Sequence, residues 1–162
     1  NMASDSKGDD MSLRAILLAT LIVGPIMGIV GLWVGGFLLR WTGGWIGGQA
    51  DARRIRATLA WANVPLIWSL LLWIPALLLF GRELFTAATP VLDASARLAG
   101  LHLVFSVGIG IVSLWSFVAF LHALGEVQGF SAWRSLLNSF LALLVFLVPL
   151  FAFIGIAIWA SR

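Results

Sequence analysis

With 162 residues, 61% of them hydrophobic and 10% charged, the chain departs from the half-apolar, quarter-charged balance of a soluble domain. Its mean hydropathy of +1.04 excludes a water-soluble fold. The pI of 11.1 rests on a net charge of only +3, too little basic surface for nucleic acid, and without cysteine there can be no disulfide, thiolate metal site or cysteine nucleophile.

Residues 1–12 are polar, with Asp5, Asp9 and Asp10 around Lys7, and read as a tail or loop. Four windows free of Asp, Glu, Lys and Arg follow: Ala15 to Leu39, Ala57 to Gly81, Leu98 to Gly125, and Ser135 to Ser161. Each exceeds the ~20 residues that cross a bilayer as a helix. Open backbone cannot face lipid, so residues 13–162 form an all-α, polytopic transmembrane bundle with spans at about 13–39, 58–80, 98–122 and 136–160. The loop Arg40 to Arg56 carries four arginines against Asp51, which places it in the cytoplasm and the C-terminus outside.

In the first span Gly24, Gly28, Gly31 and Gly35 share one helix face, a pattern that lets a neighbouring backbone approach. The loop after it runs Arg40-Trp41-Thr42-Gly43-Gly44-Trp45-Ile46-Gly47-Gly48-Gln49-Ala50-Asp51. It lacks the Lys-Ser/Thr of a phosphate-binding loop, so its glycines read as tight turns, Trp41 and Trp45 as headgroup-level aromatics, and Asp51 as a helix cap. Arg53, Arg54 and Arg56 then anchor topology, attract anionic lipid or dock an acidic partner.

The loop before the fourth span, Glu126-Val127-Gln128-Gly129-Phe130-Ser131-Ala132-Trp133-Arg134, resembles the first when shifted by 80 residues, with Ser131 over Asp51 and Arg134 over Arg54. This suggests a parallel repeat of two-helix units. Glu126, Gln128, Trp133 and Arg134 therefore join Trp41, Trp45 and the three arginines as a candidate surface for partner or lipid.

His102 and His122 stand at opposite ends of one span, ~30 Å apart by helical rise, and cannot share a metal. No catalytic motif, metal site or cofactor site is evident. Asn63, Ser69, Ser113, Ser116 and Asn138, with Pro25, Pro65, Pro75 and Pro149, leave a small transporter, channel or lipid translocator as the alternative to a scaffold.

Through Gly44-Trp45-Ile46-Gly47-Gly48-Gln49-Ala50, Ala60-Trp61-Ala62-Asn63-Val64-Pro65 and Leu124 to Ser131, the chain resembles the Yip family of Ypt/Rab-interacting membrane proteins, in particular its bacterial members. The resemblance implies five spans, the first preceding Asn1, and a location in the bacterial inner membrane. It leaves the activity undefined, and the cytoplasmic Trp, Gly and Arg loops with the glycine-striped helix point to a non-catalytic scaffold or adaptor. The expected partners are the bilayer with its anionic lipids, a membrane or peripheral protein, and a second copy of the chain.

Overall fold

The computed structural model describes residues 12–86 and 95–160, without the Arg82 side chain. The polar start, except Ser12, and residues 87–94 of the Arg82 to Arg97 loop lie outside the described residues. All regular structure in the described residues is helical: α1 (Leu13–Trp45), α2 (Ala52–Ala62), α3 (Val64–Trp68), α4 (Leu70–Phe80), a short 3-10 turn (Gly81–Phe85), α5 (Ala96–Gln128) and α6 (Ala132–Ala160). α1, α5 and α6 are each long and apolar enough to cross a membrane. Only 6% of each apolar window is buried within the chain, so their Leu, Ile, Val and Phe side chains face outward as lipid contact requires.

The remaining span is broken. Ala52–Trp68 and Leu70–Phe80 meet at a bend of 43°; taken as one span, the pair is long and apolar enough for a fourth crossing. The sequence explains the break. Pro65 has no N–H to offer the Trp61 carbonyl, and its ring crowds that turn. Asn63 Nδ2 instead donates to Leu59 O at 2.7 Å, and Ser69 Oγ donates to Leu66 O at 2.6 Å, so side chains satisfy carbonyls that a continuous helix would pair internally.

The chain divides into two compact units. One comprises residues 1–28 and 64–116. There Phe80, buried at the end of α4, meets His102 and Phe105 of α5 edge-on at centroid distances of 5.5 and 6.3 Å. The other unit comprises residues 29–63 and 117–162. Its core is formed by Leu39, Ala50, Ile55, Leu124 and Ala142.

Within this second unit, helices run further than the apolar windows suggest. α1 continues through Arg40 to Trp45, so Gly43 and Gly44 are helical rather than the tight turns expected, and only residues 46–51 connect to α2. α5 likewise runs through Glu126 to Gln128, leaving residues 129–131 as the link to α6. Both helices stop in the same way. Gly48 N donates to Gly43 O at 2.8 Å and Phe130 N to Gly125 O at 2.9 Å, with Gly47 and Gly129 at φ 87° and 77° making the left-handed turn that glycine tolerates.

The following helices also start alike. Asp51 Oδ1 accepts the Arg54 N–H at 2.8 Å, and Ser131 Oγ accepts that of Arg134 at 3.4 Å, each capping a third helical position. The buried residues of α2 are Ile55, Thr58 and Ala62, and those of α6 are Ser135, Asn138 and Ala142, the same positions shifted by 80. The repeat suspected in the loops thus extends into the helices. The first copy has two additional loop residues, Gln49 and Ala50, whose use is described below.

The Arg54 N–H holds the exposed Asp51 carboxylate below its ordinary value of 3.8, assisted by the Arg54 and Arg53 charges. A depressed carboxylate stabilises the fold above its unfolded value and ceases to do so as pH falls through the folded one. Amide exchange at Arg54 is therefore expected to rise as pH falls below 3.8 beyond the intrinsic trend, and Asp51→Ala should abolish that pH-dependent step.

Candidate functional site

Among the described residues, four of the five polar residues buried in the second unit, all but Thr58, lie on α1, α5 and α6 where these helices join. Gln128, the last residue of α5, is 1% exposed, and Thr42, Ser135 and Asn138 are 0% exposed. Gln128 grips both sides of the longer loop. Its Nε2 donates to Leu39 O at 3.1 Å, its Oε1 accepts the Ala50 N–H at 3.2 Å, and its backbone carbonyl accepts the Gln49 N–H at 3.1 Å. The two extra residues of the first repeat thus supply the N–H groups that fasten to the end of the second.

Asn138 completes the joint. Its Nδ2 donates to the same Leu39 carbonyl at 3.1 Å, while Thr42 Oγ1 lies 2.6 Å from Asn138 Oδ1 and 2.9 Å from Leu38 O, one hydroxyl proton serving both. The approach is possible only because small residues surround the amide. A Cβ on Gly43 would strike Gln128 Nε2, and one on Gly48 would strike Gln128 Oε1. On the opposite side of the α5–α6 link, a Cβ on Gly125 would stand 2.7 Å from Phe130 O and 3.0 Å from Ser135 Oγ. Among the described residues no buried side-chain nitrogen or oxygen lacks a hydrogen-bond partner. The network contains no titratable group. Its hydroxyls donate to Asn138 and to backbone carbonyls, so the observed role of the network is to fasten the helices together.

What this fastening holds up is an exposed rim. Trp41 and Trp45 on α1, Arg53 and Arg54 on α2, Glu126 on α5, and Trp133 and Arg134 on α6 all reach the surface. Gln128, expected among them, is corrected to the interior, where its amide positions the rim and is not available to a partner. Arg56 also differs from its neighbours. Its stem packs against Gly36 and its guanidinium carbon stands 4.2 Å above the Trp33 ring, a cation–π contact.

The glycine face is less uniform than its spacing suggests. Among the described residues a Cβ at Gly24, Gly28 or Gly31 would meet nothing within 4 Å, whereas at Gly35 it would meet Leu59 Cδ1 at 3.5 Å. The close approaches involve Gly36, Gly43, Gly108 and Gly125 in helices and Gly48 in the α1–α2 link instead. Thr42 and Ser135 were missed by sequence reasoning, and their signal was faint: short hydroxyl residues at helix positions facing Asn138 and Gly125.

A family model, the Yip1 domain, matches residues 2–154, covering the joint, the first three apolar windows and most of the fourth. The chain belongs to the Yip family. No curated protein and no solved structure matches it. Membership of the Yip family agrees with the helical, membrane-spanning architecture, and it names no substrate.

Proposed function

We propose that this Yip-family chain is a non-catalytic membrane scaffold or adaptor whose arginine-rich end faces the cytoplasm and receives an acidic protein partner. The observation that carries the reading is the paired helix start: Asp51 and Ser131 cap α2 and α6 alike, presenting Arg54 and Arg134 at equivalent positions beside exposed Arg53 and Trp133. The buried fastening keeps that rim in a fixed shape without itself carrying reactive chemistry. Exposed cations steer an acidic partner and set its approach, and an exposed Trp provides contact area at small entropic cost. In this reading the C-terminus lies outside, the membrane is the bacterial inner membrane, and Glu126 at the rim disfavours acidic partners in the wrong register.

Transport draws no support from the polar positions that suggested it. Asn138 is spent on Leu39 and Thr42, and Asn63 and Ser113 donate to carbonyls of their own segments. The test is to reverse Arg53, Arg54 and Arg134 to Glu together and cross-link in native membranes. The partner adduct should fall at least several-fold with unchanged membrane orientation. Solute flux through proteoliposomes of the purified chain, with no reproducible adduct, would overturn the proposal.

A further inference from the structure

On the outer face of α1, aromatic residues recur at every fourth position: Trp33, Phe37, Trp41 and Trp45. That spacing stacks them into a ladder ~18 Å long. Phe37 and Trp41 stand 6.2 Å apart, and Trp41 and Trp45 stand 5.3 Å apart. Opposite the ladder's inner half, Val145, Phe146 and Pro149 of α6 close a groove of about 530 Å³. A second hollow of about 390 Å³ continues it past Phe37 and Trp41 to Trp45, with Arg40 in its wall. The groove is therefore apolar along its length and carries a cation at the end nearest the α1–α2 loop.

A second cation lies beside it. Arg56 rests on the ring of Trp33, which itself lines the groove, and its stem runs along Gly36, one helical turn from Arg40. Among the described residues neither Arg40 nor Arg56 has a carboxylate partner. Two guanidinium groups at the end of a span attract an anion, and at the membrane surface beside an apolar trough the anion available is a lipid phosphate. An acyl chain suits the remainder: a long, flexible hydrocarbon matches an open, predominantly apolar groove between two helices.

We propose that this groove binds an anionic phospholipid of the surrounding bilayer, with one acyl chain along Trp33, Phe37 and Trp41 and the phosphate taken by Arg40 and Arg56. The site shares Trp41 and Trp45 with the exposed rim but none of Arg53, Arg54, Trp133 and Arg134, on which the protein-docking reading rests, so either reading can fail without the other. Arg56 contributes through position as well as charge, because displacing its stem opens the wall that Trp33 forms.

The test is native mass spectrometry of the full chain in detergent, titrated with phosphatidylglycerol or phosphatidylcholine bearing identical acyl chains. Phosphatidylglycerol should occupy the first site at least about tenfold more tightly, and Arg40→Gln and Arg56→Gln should each weaken it about fivefold. Gly36→Ala, which keeps every charge but places a Cβ 2.5 Å from Arg56 Cγ, should reproduce the Arg56→Gln loss. Phe37→Ala should weaken both lipids alike. Equal binding of the two lipids by the unaltered chain would overturn the proposal, and that comparison needs no variant to fold. So would a preference removed by Arg53→Gln and Arg54→Gln but untouched at Arg40 and Arg56, or a lipid-insensitive dimer that covers the groove.

Discussion

Replacing Gln128 by Leu should lower the stability of the folded chain by about 2–4 kcal/mol, read as an earlier midpoint in an SDS-unfolding titration from detergent micelles. The side chain has the right size for its site, so the loss is one of polar pairing more than volume. Leu cannot replace the acceptor for the Ala50 N–H or the donor to Leu39 O, and the site is 1% exposed, so water cannot stand in. Interhelical hydrogen bonds in membrane proteins average only ~0.6 kcal/mol each, because the unfolded chain finds other partners in lipid. The larger figure here comes from the donor left stranded. Asn138→Leu should cost less, about 1 kcal/mol, because Thr42 keeps its bond to Leu38 O and Leu39 O keeps that from Gln128 Nε2. Trp133→Leu, at a side chain 80% exposed, should shift the midpoint by less than about 0.5 kcal/mol. A Gln128→Leu midpoint equal to that of Trp133→Leu would show that the joint contributes nothing.

Glycines one and four residues apart should respond to Ala with opposite signs. Gly44 lies in the last turn of α1 with open space where a Cβ would go, so Gly44→Ala should stabilise the helix by up to about 1 kcal/mol. Gly43→Ala and Gly48→Ala should each cost about 1–3 kcal/mol, since the new methyl occupies space held by the Gln128 amide. The mechanism makes a sharper claim than the magnitude. If the cost arises through Gln128, it must shrink when Gln128 is already Ala, so a double-mutant cycle should show coupling of at least about 1 kcal/mol for Gly43 or Gly48 and none for Gly44. Additive costs would place the glycines' role elsewhere.

The helical, membrane-crossing character was legible because an apolar run of that length admits few other structures in lipid. The helix ends were not. Gly43-Gly44 reads as a turn in isolation, since each glycine weakens a helix by up to ~1 kcal/mol relative to Ala, and only the Gln128 contact shows why the helix keeps Gly43. Gln128 was read beside Glu126 as one surface patch. Two residues along a helix are ~200° apart, so Glu126 faces out while Gln128 faces in. Asn138 was noticed as a polar residue inside a span, but the choice between a solute path and a buried hydrogen bond depends on what faces it, which a single chain of letters does not contain. Conversely, the caps at Asp51 and Ser131 were local, and their spacing of 80 residues exposed the repeat before any packing was seen.

The most direct test of the adaptor reading places a photo-crosslinking amino acid at Trp133 or at Trp159 in intact membranes. Both side chains are 80% exposed and lie near opposite ends of α6, so accessibility is matched while location differs. The account predicts a discrete protein adduct from position 133, absent from position 159, and lost when Arg53 and Arg54 are reversed to Glu. Identical adducts from the two positions, or none from 133, would contradict it.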